Sequence, residues 1–143
     1  MEMRFLDSSV FLHAYLKPRR KLKPLEKKIK AEAKEIIRRV NSGEEEVYMT
    51  VVHLSEVVNI IESHIGLLES ISFLAKIFSL KNVVVDDVSR EEYVEALAIS
   101  RKHYVSINDA LAYVKMKENN INEIYSFNKH FKNLPGIKVL PKI

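Results

Sequence analysis

Short apolar runs alternate along the chain with stretches in which apolar residues recur at helical spacing, and that alternation predicts an α/β fold. Met3 to Leu6 is a short apolar run ending at Asp7 and reads as a first strand, followed by a short helix over Ser8 to Leu16. Pro18 and Pro24 bracket a basic loop. Leu25, Ile29, Ala33, Ile36, Ile37 and Val40 then follow the spacing of one helical face, and Asn41-Ser42-Gly43 stops that helix. Val47 to Thr50 reads as a second strand, and Leu54, Val57, Val58, Ile61 and Ile65 form the apolar stripe of the next helix, broken at Gly66. Leu67 to Leu80 is helical in pattern but apolar on most sides. Val83 to Val85 is a third strand. Ser89 with Glu92 has the spacing of a capping box for a helix to about Lys102, and Ser106 with Asp109 repeats it before a helix reaching about Glu118. Ile124 to Phe127 and, after a Pro135-Gly136 turn, Ile137 to Leu140 complete the set of strands.

Five short strands alternating with helices predict a three-layer α/β/α arrangement around a central five-stranded parallel sheet. Such sheets bind ligands outside the carboxyl ends of their strands, which directs the search for chemistry to that edge. With 143 residues and neither repeats nor a low-complexity linker, the chain is expected to form a single domain over residues 1–143.

Composition narrows the chemistry. There are no cysteines, which removes disulfides, thiolate zinc sites and cysteine nucleophiles. No apolar run has the ~20 residues a membrane span needs, and MEMRFLDSS lacks the basic and apolar regions of a signal peptide, so a cytoplasmic protein without membrane contact is expected. The net charge of +4 is unevenly spread: residues 17–39 hold eleven Lys/Arg against three Glu, a local +8 that leaves −4 on the remainder. Such a segment fits a polyanion footprint, although a solvated helix face is the simpler explanation from charge alone. The five histidines, His13, His53, His64, His103 and His130, contain no close pair at metal-ligand spacing and read as structural or surface residues.

Asp7 follows the first strand, where an N-cap would also explain it. Glu56 lies opposite the main apolar stripe of its helix, but Val52 and Ile60 share its face, so that face is not plain solvent and the carboxylate needs a partner. Asp109 sits three residues after Ser106, as a capping residue would, yet shares its face with Ala112, Tyr113 and Met116. Ser126 and Asn128 fall at the same expected edge as Asp7. Three carboxylates gathered there would repel unless a cation intervened, and hard divalent ions such as Mg²⁺ or Mn²⁺ prefer oxygen ligands, hold phosphates and lower the pKa of bound water. The reaction indicated is hydrolysis of a phosphodiester.

The segments FLDSSVFLHAYL (5–16), HLSEVVNII (53–61), SINDALAYVKM (106–116) and IYSFNKHFKNLPGIKVL (124–140) resemble, in order and spacing, the successive motifs of the PIN-domain family. The resemblance covers nearly the whole chain, and short members of this kind are commonly toxins of VapBC toxin–antitoxin pairs. It implies a five-stranded parallel sheet and Mg²⁺- or Mn²⁺-dependent endoribonuclease activity, with Asp7, Glu56 and Asp109 as the core acidic metal ligands. Ser126 matches a small hydroxyl residue on the fourth strand. Asn128 stands where many members carry a fourth Asp, so a second metal should bind more weakly. Lys17, Arg19, Arg20, Lys21 and Lys23 are candidate phosphate contacts. Phe11, Tyr15 and Tyr113 could stack on bases but are more simply explained by core packing. The apolar Leu67–Leu80 segment is either deeply buried or an interface with an antitoxin or a second copy in a homodimer. An RNA-maturation nuclease without an antitoxin, and a non-catalytic RNA- or protein-binding module, are the competing functions.

Overall fold

In the computed structural model, which describes residues 2–143, five strands form one all-parallel sheet. They are β1 (Arg4–Leu6), β2 (Val47–Thr50), β3 (Val83–Asp86), β4 (Glu123–Tyr125) and β5 (Lys138–Leu140). Their order is β3-β2-β1-β4-β5, with Phe5 of β1 registered against Tyr48 on one side and Ile124 on the other. The helices are α1 (Ser8–Tyr15), α2 (Pro24–Asn41), α3 (Val51–His64), α4 (Leu67–Ser79), α5 (Arg90–His103) and α6 (Ile107–Glu118). The expected three-layer architecture is therefore present.

Period-two alternation along each strand builds two cores. Leu6, Val47, Met49, Val83 and Tyr125 join the core under α1 to α4, where Phe11, Ile36, Val57 and Ile61 are buried. Phe5, Tyr48 and Ile124 point the other way, into the core under α5 and α6 with Leu111, Met116 and Phe131. The chain runs from β1 outward to β2 and β3, then returns across the sheet to β4 on the opposite side of β1. That reversal leaves a crevice beyond the carboxyl ends of β1 and β4.

Element boundaries follow the sequence pattern to within about a residue, with one departure. β4 ends at Tyr125 instead of Phe127. The Ser126 N–H still bonds the Leu140 carbonyl at 2.9 Å, but the Asn128 side chain then accepts the His130 N–H at 3.0 Å and opens a 3-10 turn over Lys129–Asn133. An amide side chain competing for a backbone donor in this way ends a strand.

α4 is not the deeply buried helix that its composition allows. Ile77 and Ser70 are buried, whereas Leu67, Leu68, Ile71 and Phe78 are more than half exposed.

One buried cation organises the far side of the molecule. Lys115 of α6 is 4% exposed, and its ammonium meets Glu92 at 2.6 Å, Asp86 at 3.2 Å and Glu118 at 3.5 Å. Hydrogen bonds from Glu118, Lys115 and the Ser89 N–H hold the Glu92 carboxyl down to about 2. The part owed to Lys115 and the Ser89 N–H is present above the ordinary carboxylate range and is lost as pH falls toward 2, whereas the bond shared with Glu118 lasts only while Glu118, raised by it, keeps its proton. Lys115→Met should cost roughly 2–3 kcal/mol, below the full cost of breaking a buried pair because Asp86 and Glu118 are partly solvated. Urea unfolding at pH 7 measures this, and a loss under 0.5 kcal/mol would mean that the cluster does not need its cation.

Candidate active site

Asp7 follows β1 directly and is the N-cap of α1, but capping occupies only part of it. Its Oδ2 takes the Ser9 N–H at 3.4 Å, the Ser9 hydroxyl at 2.6 Å and the Ser126 hydroxyl at 2.8 Å. All three bonds fall on one oxygen of a residue only 4% exposed, so Oδ1 remains available to a ligand. Ser126 follows β4, the strand beside β1, and its hydroxyl accepts the Asn128 N–H at 3.0 Å while donating to Asp7. Asp7 and Ser126 are therefore placed by adjacent strands at the crevice.

Asp109 lies in the first turn of α6, and its N–H is capped by the Ser106 hydroxyl at 3.2 Å. The identical spacing at Ser89 and Glu92 forms a reciprocal box, with the Ser89 N–H bonded to Glu92 at 2.8 Å. Asp109 does not close such a box. Its Oδ2 instead accepts the Asn128 side-chain amide at 2.8 Å, across 19 residues of sequence. The carboxylate is turned into the crevice and is 7% exposed.

Glu56 completes the group from α3 and is half-buried, as are Val52 and Ile60 about one turn to either side. Burial, followed by the charges of Asp7 and Asp109, pushes its carboxyl above the usual range against opposing hydrogen bonds from Asn108 and Ser8. Asp109 is raised for the same reasons, burial first and then Asp7, against Ser106, Asn128 and the nearby charge of His130. The three acids thus sense one another electrostatically. No ion pair among the described residues supplies any of them with a Lys or Arg.

Such an uncompensated, all-oxygen group suits a hard divalent cation. Among the described residues, no three His, Asp or Glu side chains are gathered tightly enough to enclose a metal ion by themselves. The set therefore fits a hydrated ion touched by one or two carboxylates, the usual state of Mg²⁺, and does not fit a dry protein cage.

Several supporting groups were not singled out by the sequence. Ser9 joins Asp7 to the chain after β4, accepting the Phe127 N–H at 3.1 Å. His53 is 1% exposed and ties α3 to α6. Its Nε2–H donates to the Asn108 carbonyl at 2.8 Å, so its Nδ1 accepts from the Thr50 hydroxyl at 2.7 Å. Burial holds this imidazole neutral, below the usual histidine range, against smaller pulls from Asn108 and Asp7. His130, read as a structural or surface residue, is exposed; Phe131 beside it is the buried residue.

The candidate nucleic-acid contacts are sorted differently. Phe11 is core, at 1% exposure. Tyr113 donates its hydroxyl to the Pro135 carbonyl, and Tyr15 packs against Phe11 and Phe73. Arg20 is held by both oxygens of Glu26, at 2.8 and 2.5 Å, so its charge is already paired. Lys17, Arg19, Lys21 and Lys23 remain exposed.

An acidic crevice at the switch point of a parallel sheet defines a class of α/β domain, and the sequence agrees. The model of the PIN domain family matches residues 4–137, and the chain belongs to that family. Among solved structures it is similar to VapC20 of Mycobacterium tuberculosis, described as a sarcin-ricin loop cleaving toxin, with TM-score 0.72 and 19% identity over 98% of this chain and 100% of that one. It is also similar to VapBC2 of Rickettsia felis bound to a promoter DNA fragment, with TM-score 0.63 and 14% identity over 96% of each chain. A toxin–antitoxin complex from Klebsiella pneumoniae gives TM-score 0.62 and 12% identity over the whole of both chains. At these identities the likeness establishes a shared fold. No curated protein matches the chain by sequence.

Proposed function

We propose that this protein is a metal-dependent endoribonuclease that hydrolyses RNA phosphodiester bonds and serves as the toxin of a VapBC-type pair. The observation carrying this reading is the convergence of Asp7, Glu56 and Asp109, from three separate elements, into one crevice with no cation from the chain. Asp7, Glu56 and Asp109 would hold Mg²⁺ or Mn²⁺, partly through waters. Such an ion, when bound, supplies a Lewis acid for the phosphate and a water of lowered pKa. Ser126 positions Asp7, and Asn128 positions Asp109, through the hydrogen bonds described above. In this reading both residues act through the acids they bond. Burial and the charges of Asp7 and Asp109 raise Glu56, so a cation or a proton is favoured beside it.

The toxin assignment draws support from the toxin and toxin–antitoxin neighbours. The exposed apolar residues of α4 would then be covered by an antitoxin or by a second copy of the chain. No described helix is long and apolar enough to cross a membrane. The competing reading, a non-catalytic module, rests on Asn128 standing in place of a fourth acid.

Cleavage of a defined RNA panel with Mn²⁺, Mg²⁺ or chelator tests the proposal, with Asp7→Ala prepared identically as the control for contaminating ribonucleases. Cleavage that needs the ion and vanishes in Asp7→Ala supports it. Cleavage persisting in chelator, or equal cation affinity in both proteins, would remove its basis. A small antitoxin gene adjacent to the coding sequence would separate the toxin from a nuclease of RNA maturation.

A further inference from the structure

Beside the acidic crevice lies a second hollow of about 400 Å³, reached over Ser126 and Asn128, which line both. Its apolar wall is formed by Phe127, Ile29 and Val139, and its polar lining includes Lys129, Lys132 and Lys142. No acidic residue lines it, and none of these three lysines enters an ion pair among the described residues. All three are exposed.

The aromatic ring is held in place. Phe127 meets His13 edge-on at 5.4 Å, and its backbone N–H bonds the Ser9 hydroxyl at 3.1 Å. That same hydroxyl donates to Asp7 at 2.6 Å. One serine therefore sets the distance between the ring and the carboxylate that follows β1.

A neighbouring hollow of about 360 Å³, between α1 and α2, shares Ile29 and contains Lys17, Arg20 and Lys30. Its cations are largely occupied: Arg20 is paired with Glu26, and Lys30 donates to the carbonyls of His13 and Leu16 at 3.0 and 2.7 Å. The lysines of the first hollow have no such internal work, which makes it the stronger site for an anion.

We propose that the Phe127 hollow is the subsite for the unpaired nucleotide next to the scissile phosphate of single-stranded RNA. The base lies against Phe127, and the adjoining phosphates meet Lys129, Lys132 and Lys142. The combination of an aromatic face with unpaired cations is what single-stranded nucleic acid binds, and a base within a duplex cannot reach the ring. The choice of RNA rests on the nuclease reading above, so the test separates the two.

Anisotropy of a labelled single-stranded RNA of about twelve nucleotides is measured in chelator, where cleavage is not required. The proteins are wild type, Phe127→Leu, the triple variant Lys129→Ala/Lys132→Ala/Lys142→Ala, and a control triple, Lys81→Ala/Arg101→Ala/Lys102→Ala, each checked for native circular dichroism. The hollow triple should bind at least about tenfold more weakly, and its log–log salt slope should be shallower by about 2, as expected for three lost phosphate contacts to a single strand. The control triple should lose less than about threefold. Phe127→Leu should lose about tenfold on the single strand, keep the salt slope, and leave binding of a duplex of the same sequence unchanged. Equal losses in both triples, or no loss in Phe127→Leu, would overturn the subsite. So would unchanged RNA binding with a dimer lost in sedimentation, because a second copy would then be the occupant. Should wild type fail to cleave RNA while this binding pattern holds, the nuclease reading falls and the subsite stands. Cleavage by the hollow triple at the wild-type rate would have the opposite meaning.

Discussion

Asp109→Asn is expected to lower kcat/KM for metal-dependent RNA cleavage by about 10³-fold, roughly 4 kcal/mol of transition-state stabilisation, with the fold intact. The substitution keeps the shape of the side chain and still accepts the Asn128 amide bond, so packing is preserved. What it removes is a buried charge. Burial and Asp7 raise the Asp109 carboxyl, so the fold favours its protonated form. Stability linked to that proton is present in acid and is lost as pH rises through the raised value. At pH 7 the free carboxylate is therefore a cost, and the variant should melt some 2–4 °C higher than wild type, the shift that about 1 kcal/mol produces in a chain of this size. The difference should shrink toward pH 4. Millimolar Mn²⁺ should raise the Tm of wild type more than that of the variant, because the ion binds only where the charge is. Thermal scans across pH, with and without Mn²⁺, measure all of this. A variant less stable than wild type at pH 7, or equally responsive to Mn²⁺, would show that Asp109 is not part of a cation site.

The second large effect concerns Asn128. Its amide donates to Asp109 at 2.8 Å and so partly does the work of a cation. Asn128→Asp replaces that donor with a like charge facing Asp109. Without metal this should destabilise the protein by about 1–2 kcal/mol, from a lost hydrogen bond and added repulsion. The same change gives a divalent ion one more anionic oxygen, and Mn²⁺ affinity should rise by about tenfold. The Asp side chain can still accept the His130 N–H, so the 3-10 turn should survive. Titration calorimetry together with chemical unfolding tests the pairing of effects. An Asn128→Asp protein equal to wild type in both respects would place residue 128 outside the cation's reach.

Much of the fold was legible because it rests on local patterns. The short apolar runs at Met3–Leu6 and Val47–Thr50 mark strands without telling their two faces apart, and the helical spacing from Leu25 to Val40 assigns the buried side of α2. The end of β4 was misjudged by two residues because Ser126-Phe127 has strand-like composition, and the Asn128 side chain that ends the strand acts through an unremarkable asparagine. The fate of α4 was open, since composition cannot say whether Leu68 and Phe78 meet a core or remain uncovered.

The candidate site divides in the same way. Asp7, Glu56 and Asp109 could be put forward as candidates because together they fall at one expected sheet edge and match the PIN-like motifs in order, although a cap explains Asp7 or Asp109 taken singly. Ser9, His53 and Asn108 could not, because their roles are contacts between elements. His53 reads as an ordinary histidine until the Asn108 carbonyl meets its ring. Equal spacing at Ser89–Glu92 and Ser106–Asp109 is the clearest case. The sequence predicts two capping boxes, whereas the folded chain closes one and turns the other acid toward Asn128. Taken alone, the order of residues determined strand and helix positions, the parallel sheet and the edge where acids would gather, since these follow from periodicity and chain direction. Which oxygen of each carboxylate is occupied, which lysines are already paired, and where an aromatic ring borders the crevice were decided only by tertiary structure. Hydrogen bonds and charges act over a few ångströms of space, and Asp7 meets Ser126 across 119 residues of chain.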